Sequence, residues 1–188
     1  MMNRVLMVGL ILAVAALAPT RSRAQEAAKQ GKTVTELDAV SQTWNDVGRK
    51  LIAMAEDFPE DKYDYKPNPS QRSFAEQLLH AAGANYYFTN LAKGEKPPAE
   101  EEPKRDQFKS KAEIVAYVKK AIGDGADALK AKGEKGMNER LTDPFSHDKV
   151  RVADFAYGFI EHMGEHYGQL AVYYRVAGLV PPESRPKK

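Results

Sequence analysis

The sequence predicts an all-α protein, a four-helix bundle, on three observations. Apolar residues recur every three to four positions over four long stretches, which is the period of a helix that buries one face. Capping residues, prolines and glycines bound these stretches. No stretch shows the alternation of apolar and polar residues that indicates a strand. Because links of roughly 14 to 18 residues join helices of about 20 residues, we expect some links to carry a short turn of structure.

The N-terminal 24 residues predict an export signal. Arg4 precedes an apolar run of 14 residues, Val5 to Ala18, which is shorter than the roughly 20 residues that span a bilayer as a helix. Ser22 and Ala24 supply the small residues of a cleavage site, so we expect cleavage after Ala24. The protein would then be exported, periplasmic or secreted, without a membrane attachment. An uncleaved anchor is the alternative.

Cleavage after Ala24 would also change the charge of the chain. The whole chain has 28 basic and 26 acidic residues, and residues 1–24 contain three arginines and no acid, which leaves the mature chain at −1. Such a balance does not favour nucleic-acid binding, which needs a concentrated basic face. The absence of cysteine excludes disulfides, thiolate zinc sites and a cysteine nucleophile. We predict a flexible lead-in at 25–33, the bundle at 34–182 and a tail at 183–188.

A proline and a capping box define the first two helices. Apolar residues at helical spacing run from Val34 to about Asp57, and Pro59 prevents continuation of the first helix. Ser73 and Glu76 form a capping box, Ser-Phe-Ala-Glu, in which each side chain bonds the backbone amide of the other residue. A second helix of about 20 residues should therefore begin here.

The third helix lies between two predicted loops. The proline-rich stretch 94–107 contains an acidic run, Glu100 to Glu102, which we interpret as a contribution to solubility. Another capping box begins at Ser110 and opens the third helix, which should end before Gly133. The irregular link that follows contains His147, interpreted as a loop side chain in water.

The fourth helix contains the most informative residues. It is predicted from about Val152 to Ala177 and ends at Gly178, with prolines beyond. His162 and His166 are four residues apart within its apolar stripe, so their side chains share one face and point into the bundle. Three glycines in this helix each cost about 1 kcal/mol relative to alanine, which suggests close approach of another helix or room for a ligand. They are Gly158, Gly164 and Gly168.

The histidine pair predicts either a metal site or a pair of core histidines. A buried imidazole without a partner costs about 1 to 3 kcal/mol, so each ring needs a hydrogen bond or a ligand, and one shared metal ion would satisfy both. His80 on the second helix lies at an edge of the buried face and can join the pair only if the second and fourth helices are neighbours. Three imidazoles without a fourth protein ligand form the open type of zinc site.

An all-nitrogen ligand set suits zinc, nickel or copper better than magnesium or calcium. In an open site such an ion could lower the pKa of a bound water to about 7, or polarise a substrate thiol or carbonyl. We expect the imidazoles to be oriented by acids or amides close to them, and Glu165, or alternatively Glu161, to act as a general base. These acids could instead face water. The candidate orienting residues are Glu76, Glu161, Glu165 and Gln169.

Two segments carry a resemblance to a known family. His-Met-Gly-Glu-His-Tyr-Gly-Gln-Leu at 162–170, followed by Tyr174-Arg175, Gly178 and Pro181-Pro182, resembles the C-terminal signature of the DinB-like superfamily. The segment at 73–87 resembles the second-helix segment of that family. The resemblance implies an up-down-down-up four-helix bundle, often dimeric, so a homodimer is one expectation. It also implies a divalent metal ion on three histidines, which are His80, His162 and His166.

Members of this superfamily include metal-dependent thiol S-transferases and a maleylpyruvate isomerase, so the resemblance implies a site more firmly than a reaction. It favours an exported, metal-dependent hydrolase or transferase that acts on a small molecule, with zinc or nickel as cofactor. The known thiol-using branch works in the cytoplasm, whereas this chain is expected to be exported, which argues against thiol S-transfer. The alternatives are a module that binds metal or a small ligand without turnover, and a structural protein whose histidines are hydrogen-bonded in the core.

Overall fold

The computed structural model describes residues 33–98 and 102–186. The predicted signal peptide at 1–24 and all but the last residue of the predicted lead-in lie outside these residues. One compact unit begins at Val34, the residue at which the bundle was predicted to begin. Within the described ranges, none of the helices combines the length and the apolar character needed to cross a bilayer.

Four helices form the bundle, and the predicted all-α class is confirmed. The predicted serine caps are present, because Ser73 accepts from the amide of Glu76 and Ser110 from the amide of Glu113. The third helix is interrupted at Gly133 (φ 64°, ψ 177°), where the sequence predicted its end. The helices are α1 (Glu36–Asp57), α2 (Phe74–Lys93), α3 (Lys111–Gly136) and α4 (Val152–Val176).

The first and last helices run in the same direction. Arg151, the residue immediately before α4, lies 3.2 Å from Glu36 at the start of α1. Near the other end of both helices, the hydroxyl of Tyr174 donates to the carbonyl of Met54 at 2.9 Å. Like ends of α1 and α4 therefore lie together.

The two middle helices run in the opposite direction. Lys111 at the start of α3 donates to the carbonyl of Phe58 at the end of α1 at 2.7 Å. Tyr173 near the end of α4 donates to the carbonyl of Arg72 just before α2 at 2.6 Å. The bundle is thus up-down-down-up, as the family resemblance implied. Helices α1 and α2 each pack against α3 and α4, so the second and fourth helices are neighbours.

Trp44 occupies the part of the core where α1 meets α3. Its side chain is fully buried, and its indole nitrogen donates to the carbonyl of Ile122 at 2.9 Å. A Cβ added at Gly125 would lie 2.0 Å from Cζ2 of Trp44. Gly125 therefore permits the close approach of the two helices.

The glycines of α4 do not mark a helix contact of this kind. A Cβ added at Gly158, Gly164 or Gly168 would meet nothing within 4 Å. Of the two explanations that the sequence suggested, close approach of another helix does not apply within the described part of the chain. All three glycines are exposed and face open space on the surface of α4.

The link between α3 and α4 contains a hairpin, which corrects the expectation of an irregular link without strands. Strand β1 (Arg140–Thr142) pairs antiparallel with β2 (Lys149–Arg151). Strands of three residues are too short to show an alternating pattern in the sequence. In the loop between them, Asp143 accepts from the amide of Phe145 at 2.8 Å and from the hydroxyl of Ser146 at 2.9 Å. His147 is exposed in this loop, as predicted.

Short turns of 3₁₀ helix occur in the other connections, as the length of the links predicted. The segment after α4 contacts α1 through two ion pairs. Glu183 lies 2.6 Å from Arg49, and Arg185 lies 2.5 Å from Asp57. The turns in the connections are Glu60–Lys62 and Arg105–Gln107, and a third turn, Pro182–Ser184, lies in the segment after α4.

Candidate metal centre

Three histidine side chains meet between α2 and α4. The Nε2 atom of His162 lies 3.3 Å from Nε2 of His80 and 3.0 Å from Nε2 of His166. Each residue offers one ring nitrogen, and these nitrogens all lie within 4.8 Å of one another. The structure therefore brings together the three histidines that the sequence singled out as metal ligands.

The spacing of these nitrogens fits a single metal ion. Nitrogens bound at about 2.0 to 2.1 Å in a tetrahedral site lie about 3.3 to 3.4 Å apart, and the separations of 3.3 and 3.0 Å are close to that value. Ligation also requires neutral imidazoles. Burial, together with the neighbouring His162 and His80, lowers the pKa of His166 to about 3. His166 is therefore neutral at neutral pH.

The burial of the three rings follows from their helix positions. His166 lies within the apolar stripe of α4 and is only 6% exposed. His80 lies at the edge of the buried face of α2, where the sequence placed it, and its side chain is 16% exposed. Because one side of the cluster is closed by the core and the other approaches solvent, a small molecule could reach it from the open side.

Gln77 lies next to His166, and Gln169 lies next to Gln77. The amide nitrogen of Gln77 donates to Oε1 of Gln169 at 2.6 Å and lies in contact with Nδ1 of His166. An imidazole that binds a metal through Nε2 donates its remaining proton from Nδ1. When His166 is a ligand, the atom next to its Nδ1 must therefore accept that proton, so the amide of Gln77 is turned to place its oxygen there instead of its nitrogen. Gln169, a predicted orienting residue, contacts Gln77. Gln77 was missed, although it lies three residues before His80 and hence on the same face of α2.

Glu102 lies next to His80. Its Oε2 atom is 3.2 Å from Nδ1 of His80, a position that can accept the remaining ring proton of a ligating imidazole. Arg72 donates to both oxygens of Glu102 at 3.0 Å. Partial burial opposes ionisation of Glu102, but the hydrogen bonds and charge of Arg72 outweigh it and lower the pKa of this carboxyl. The interpretation of the acidic run as a contribution to solubility is therefore wrong for Glu102.

The other predicted acids have different positions. Glu76 accepts from the amide of Ser73 at 2.6 Å and pairs with Lys66 at 3.2 Å, so it caps α2, and the place beside His80 belongs to Glu102. Glu161 and Glu165 are both exposed on α4. Glu161, but not Glu165, lines the cavity described next.

A cavity of about 280 Å³ opens beside His162. Three of its walls are aromatic rings, contributed by α2, the hairpin loop and α4. A separate and more polar cavity of about 450 Å³ lies on the side of Gln77 and is also lined by Arg72 and Tyr173. The cavity beside His162 is lined by Ala84, Tyr87, Phe145, Gly158, Phe159, Glu161 and His162.

Comparison with known proteins gives one family and a set of similar folds. The profile of the DinB superfamily matches residues 43–170. YfiT from Bacillus subtilis, described as a probable metal-dependent hydrolase with an unusual four-helix bundle topology, aligns with a TM-score of 0.62 and 15% identity over 80% of this chain and 93% of its own. A DinB-like protein from Bacillus cereus aligns with a TM-score of 0.62 and 19% identity over 77% of this chain and 95% of its own. No curated protein matches the chain.

Proposed function

Because the chain belongs to the DinB superfamily, we propose that it is a metal-dependent hydrolase or transferase that acts on a small molecule. His80, His162 and His166 would hold a divalent ion, zinc or nickel. The observation that supports this proposal most directly is the convergence of three Nε2 atoms at separations of 3.0 and 3.3 Å. The description of YfiT as a probable metal-dependent hydrolase favours hydrolysis over group transfer.

A divalent ion on three imidazoles would polarise a substrate carbonyl and lower the pKa of a coordinated water. The side chains around the ion have separate tasks. Glu102 and Gln77 hold the rings of His80 and His166 in orientation. Glu161 lines the same cavity as His162, which makes it the better placed general base, and Glu165 is the alternative.

Metal content tests the site directly. The protein is purified without added metal or a metal-affinity tag, and its metal is measured by elemental analysis. We expect near-stoichiometric metal in the wild type and its loss in a variant with His80→Ala, His162→Ala and His166→Ala. His147→Ala is the matched control, because this fourth histidine is exposed in the hairpin loop, and it should retain the metal. A wild type that binds neither zinc, nickel nor copper would contradict the proposal.

Turnover separates an enzyme from a binding module. The metal-loaded protein is assayed against panels of small esters, amides and thiol acceptors, with and without a chelator. If Glu161 is the base, Glu161→Gln should lower kcat by about 10²-fold or more with unchanged metal content, and Glu165→Gln should lower it much less. Metal-loaded protein that binds small ligands but turns over none of the panel would favour the module without catalysis.

Export also belongs to this proposal. The apolar run at 5–18 and the small residues before Gln25 support it. Mass spectrometry of the protein from its native host should give a chain that begins at Gln25, and a chain that retains residues 1–24 would contradict cleavage.

A further inference from the structure

We infer that the cavity beside His162 binds the substrate and selects a molecule whose body, away from the metal, carries an apolar or aromatic ring and is uncharged or cationic. This inference rests on the proposed function, because the cavity opens beside one ligand of the candidate metal centre. It goes further in assigning a substrate class and the residues that recognise it.

Aromatic rings from three elements form the walls. Tyr87 on α2 and Phe145 in the hairpin loop are stacked, with centroids 5.6 Å apart and an interplanar angle of 29°. Phe159 on α4 lies edge to face with the ring of His162 at 6.5 Å. Aromatic walls favour a ligand with a planar or apolar body, which gains contact area and stacking interactions there.

Phe145 is held where a ligand would meet it. Its side chain is 62% exposed, and the Asp143 turn fixes the backbone of this loop. A second hollow of about 310 Å³ lies along the same wall, with Phe145, Gly158 and Phe159 common to both. Phe145 therefore presents an exposed aromatic ring, on a backbone held by the turn, to a ligand in the cavity.

The cavity has space for one ring and a reactive group. Its volume of about 280 Å³ exceeds the roughly 150 Å³ of a cavity that holds one benzene. A Cβ added at Gly158 would meet nothing within 4 Å, so this glycine leaves the wall along α4 open. The ligand would thus occupy space that a side chain at residue 158 would otherwise fill.

The charge of the cavity selects against an anionic group on the body of the ligand, away from the metal. Among the described residues that line the cavity, Glu161 is the acidic one and none is lysine or arginine. Arg72, the basic side chain close to His80, is paired with Glu102 and lines the separate polar cavity. An anionic group on the part of the ligand that does not bind the metal would therefore meet the like charge of Glu161 without a basic partner.

Binding of two hydroxamates to the zinc-loaded protein tests this inference. Both probes carry the same metal-binding group, and benzohydroxamate adds a ring where acetohydroxamate has a methyl. By calorimetry, benzohydroxamate should bind about tenfold more tightly. Phe145→Ala and Gly158→Leu should remove most of that preference and lower the affinity for acetohydroxamate much less. Tyr157→Ala is the control, because Tyr157 is an exposed aromatic residue of α4 that does not line the cavity.

Charged derivatives test the second part of the inference. Benzohydroxamate with a 4-aminomethyl group should bind more tightly than benzohydroxamate with a 4-carboxylate, and Glu161→Gln should reduce the difference. Equal affinity of the two derivatives for the wild type would overturn the charge selection.

The two hydroxamates also separate this inference from the function on which it rests. Binding of acetohydroxamate without any gain from the ring would overturn the ring selection and leave the metal site standing. Failure of both probes to bind zinc-loaded protein would overturn the proposed function, and this inference with it.

Discussion

At the scale of residues, Glu102 and Gln77 contact the Nδ1 atoms of His80 and His166, and the Nε2 atoms of both rings face His162. The histidines could be singled out because spacing and the family signature mark them. Glu102 lies 22 residues from His80, and their contact depends on the path of a loop that no local pattern specifies. Gln77 is buried, and a buried amide on the histidine-bearing face was the available signal.

Glu102→Gln should weaken zinc binding by about 10- to 100-fold, because the carboxylate beside Nδ1 raises the basicity of the ligating His80 ring and fixes its orientation. Competition with a chromophoric chelator measures the change. Glu95→Gln, an exposed acid of the same connection, is the control and should bind zinc as the wild type does. Equal affinities for all three proteins would show that Glu102 does not support the site.

Acid should destabilise the metal-free protein through His166. Its pKa is about 3 in the folded protein against an ordinary value of 6.5, so between these values the unfolded chain binds a proton that the folded chain does not. The free energy of unfolding should therefore fall as pH falls through this window, by about 1 kcal/mol per pH unit from this group. Denaturant unfolding at pH 7, 6 and 5 measures the slope.

His166→Gln is the comparison that isolates this effect. Carboxyls whose pKa is lowered in the folded protein, such as Asp57 and Asp154, also reduce stability in acid, but they do so equally in both proteins. The variant should show a shallower dependence on pH. Identical slopes would mean that His166 does not titrate as its burial requires.

At the scale of elements, the helices were predictable because their ends depend on neighbouring residues. Ser73, Ser110, Pro59 and Gly178 start or stop helices by local hydrogen bonding and backbone geometry, and all four do so here. The role of a glycine inside a helix depends instead on what packs against it. Sequence alone could not distinguish Gly123 from Gly125.

Substitution of these two glycines of α3 should have opposite effects. Gly125→Ala should lower the free energy of unfolding by about 1 to 3 kcal/mol, because the new methyl would collide with the ring of Trp44. Gly123→Ala should raise it by about 0.5 to 1 kcal/mol, because a Cβ there meets nothing within 4 Å and alanine favours helix. Denaturant unfolding of both variants is the measurement, and effects of the same sign would contradict the packing described here.

At the scale of the whole molecule, the candidate site joins residues that are distant in the chain. His80 and His162 are 82 residues apart, and helical periodicity shows which face of a helix is buried but not which helix covers it. From the residues alone, the three histidines could be predicted to meet only if the second and fourth helices were neighbours. The family resemblance supplied that condition, and the fold confirms it.

Zinc should stabilise the entire bundle, because ions that bind only the folded chain shift the unfolding equilibrium. At a free zinc concentration about 100-fold above Kd, the gain should be about 2.7 kcal/mol, seen as a higher Tm than in chelator. The variant without His80, His162 and His166 should show no gain. If the histidines were merely core residues, His162→Ala would lower Tm by the same amount with and without zinc.

Trp44 is the single tryptophan of the chain, and it is enclosed where α1, α2 and α3 meet, with its ring 5.2 Å from that of Phe88. Excitation selective for indole therefore reports on one site in one environment. Its emission should lie at short wavelength in the folded protein and shift to the red when the helices separate. The protein thus contains an intrinsic optical reporter of bundle assembly on a residue that is not a candidate ligand, so every unfolding experiment above can be followed without a label.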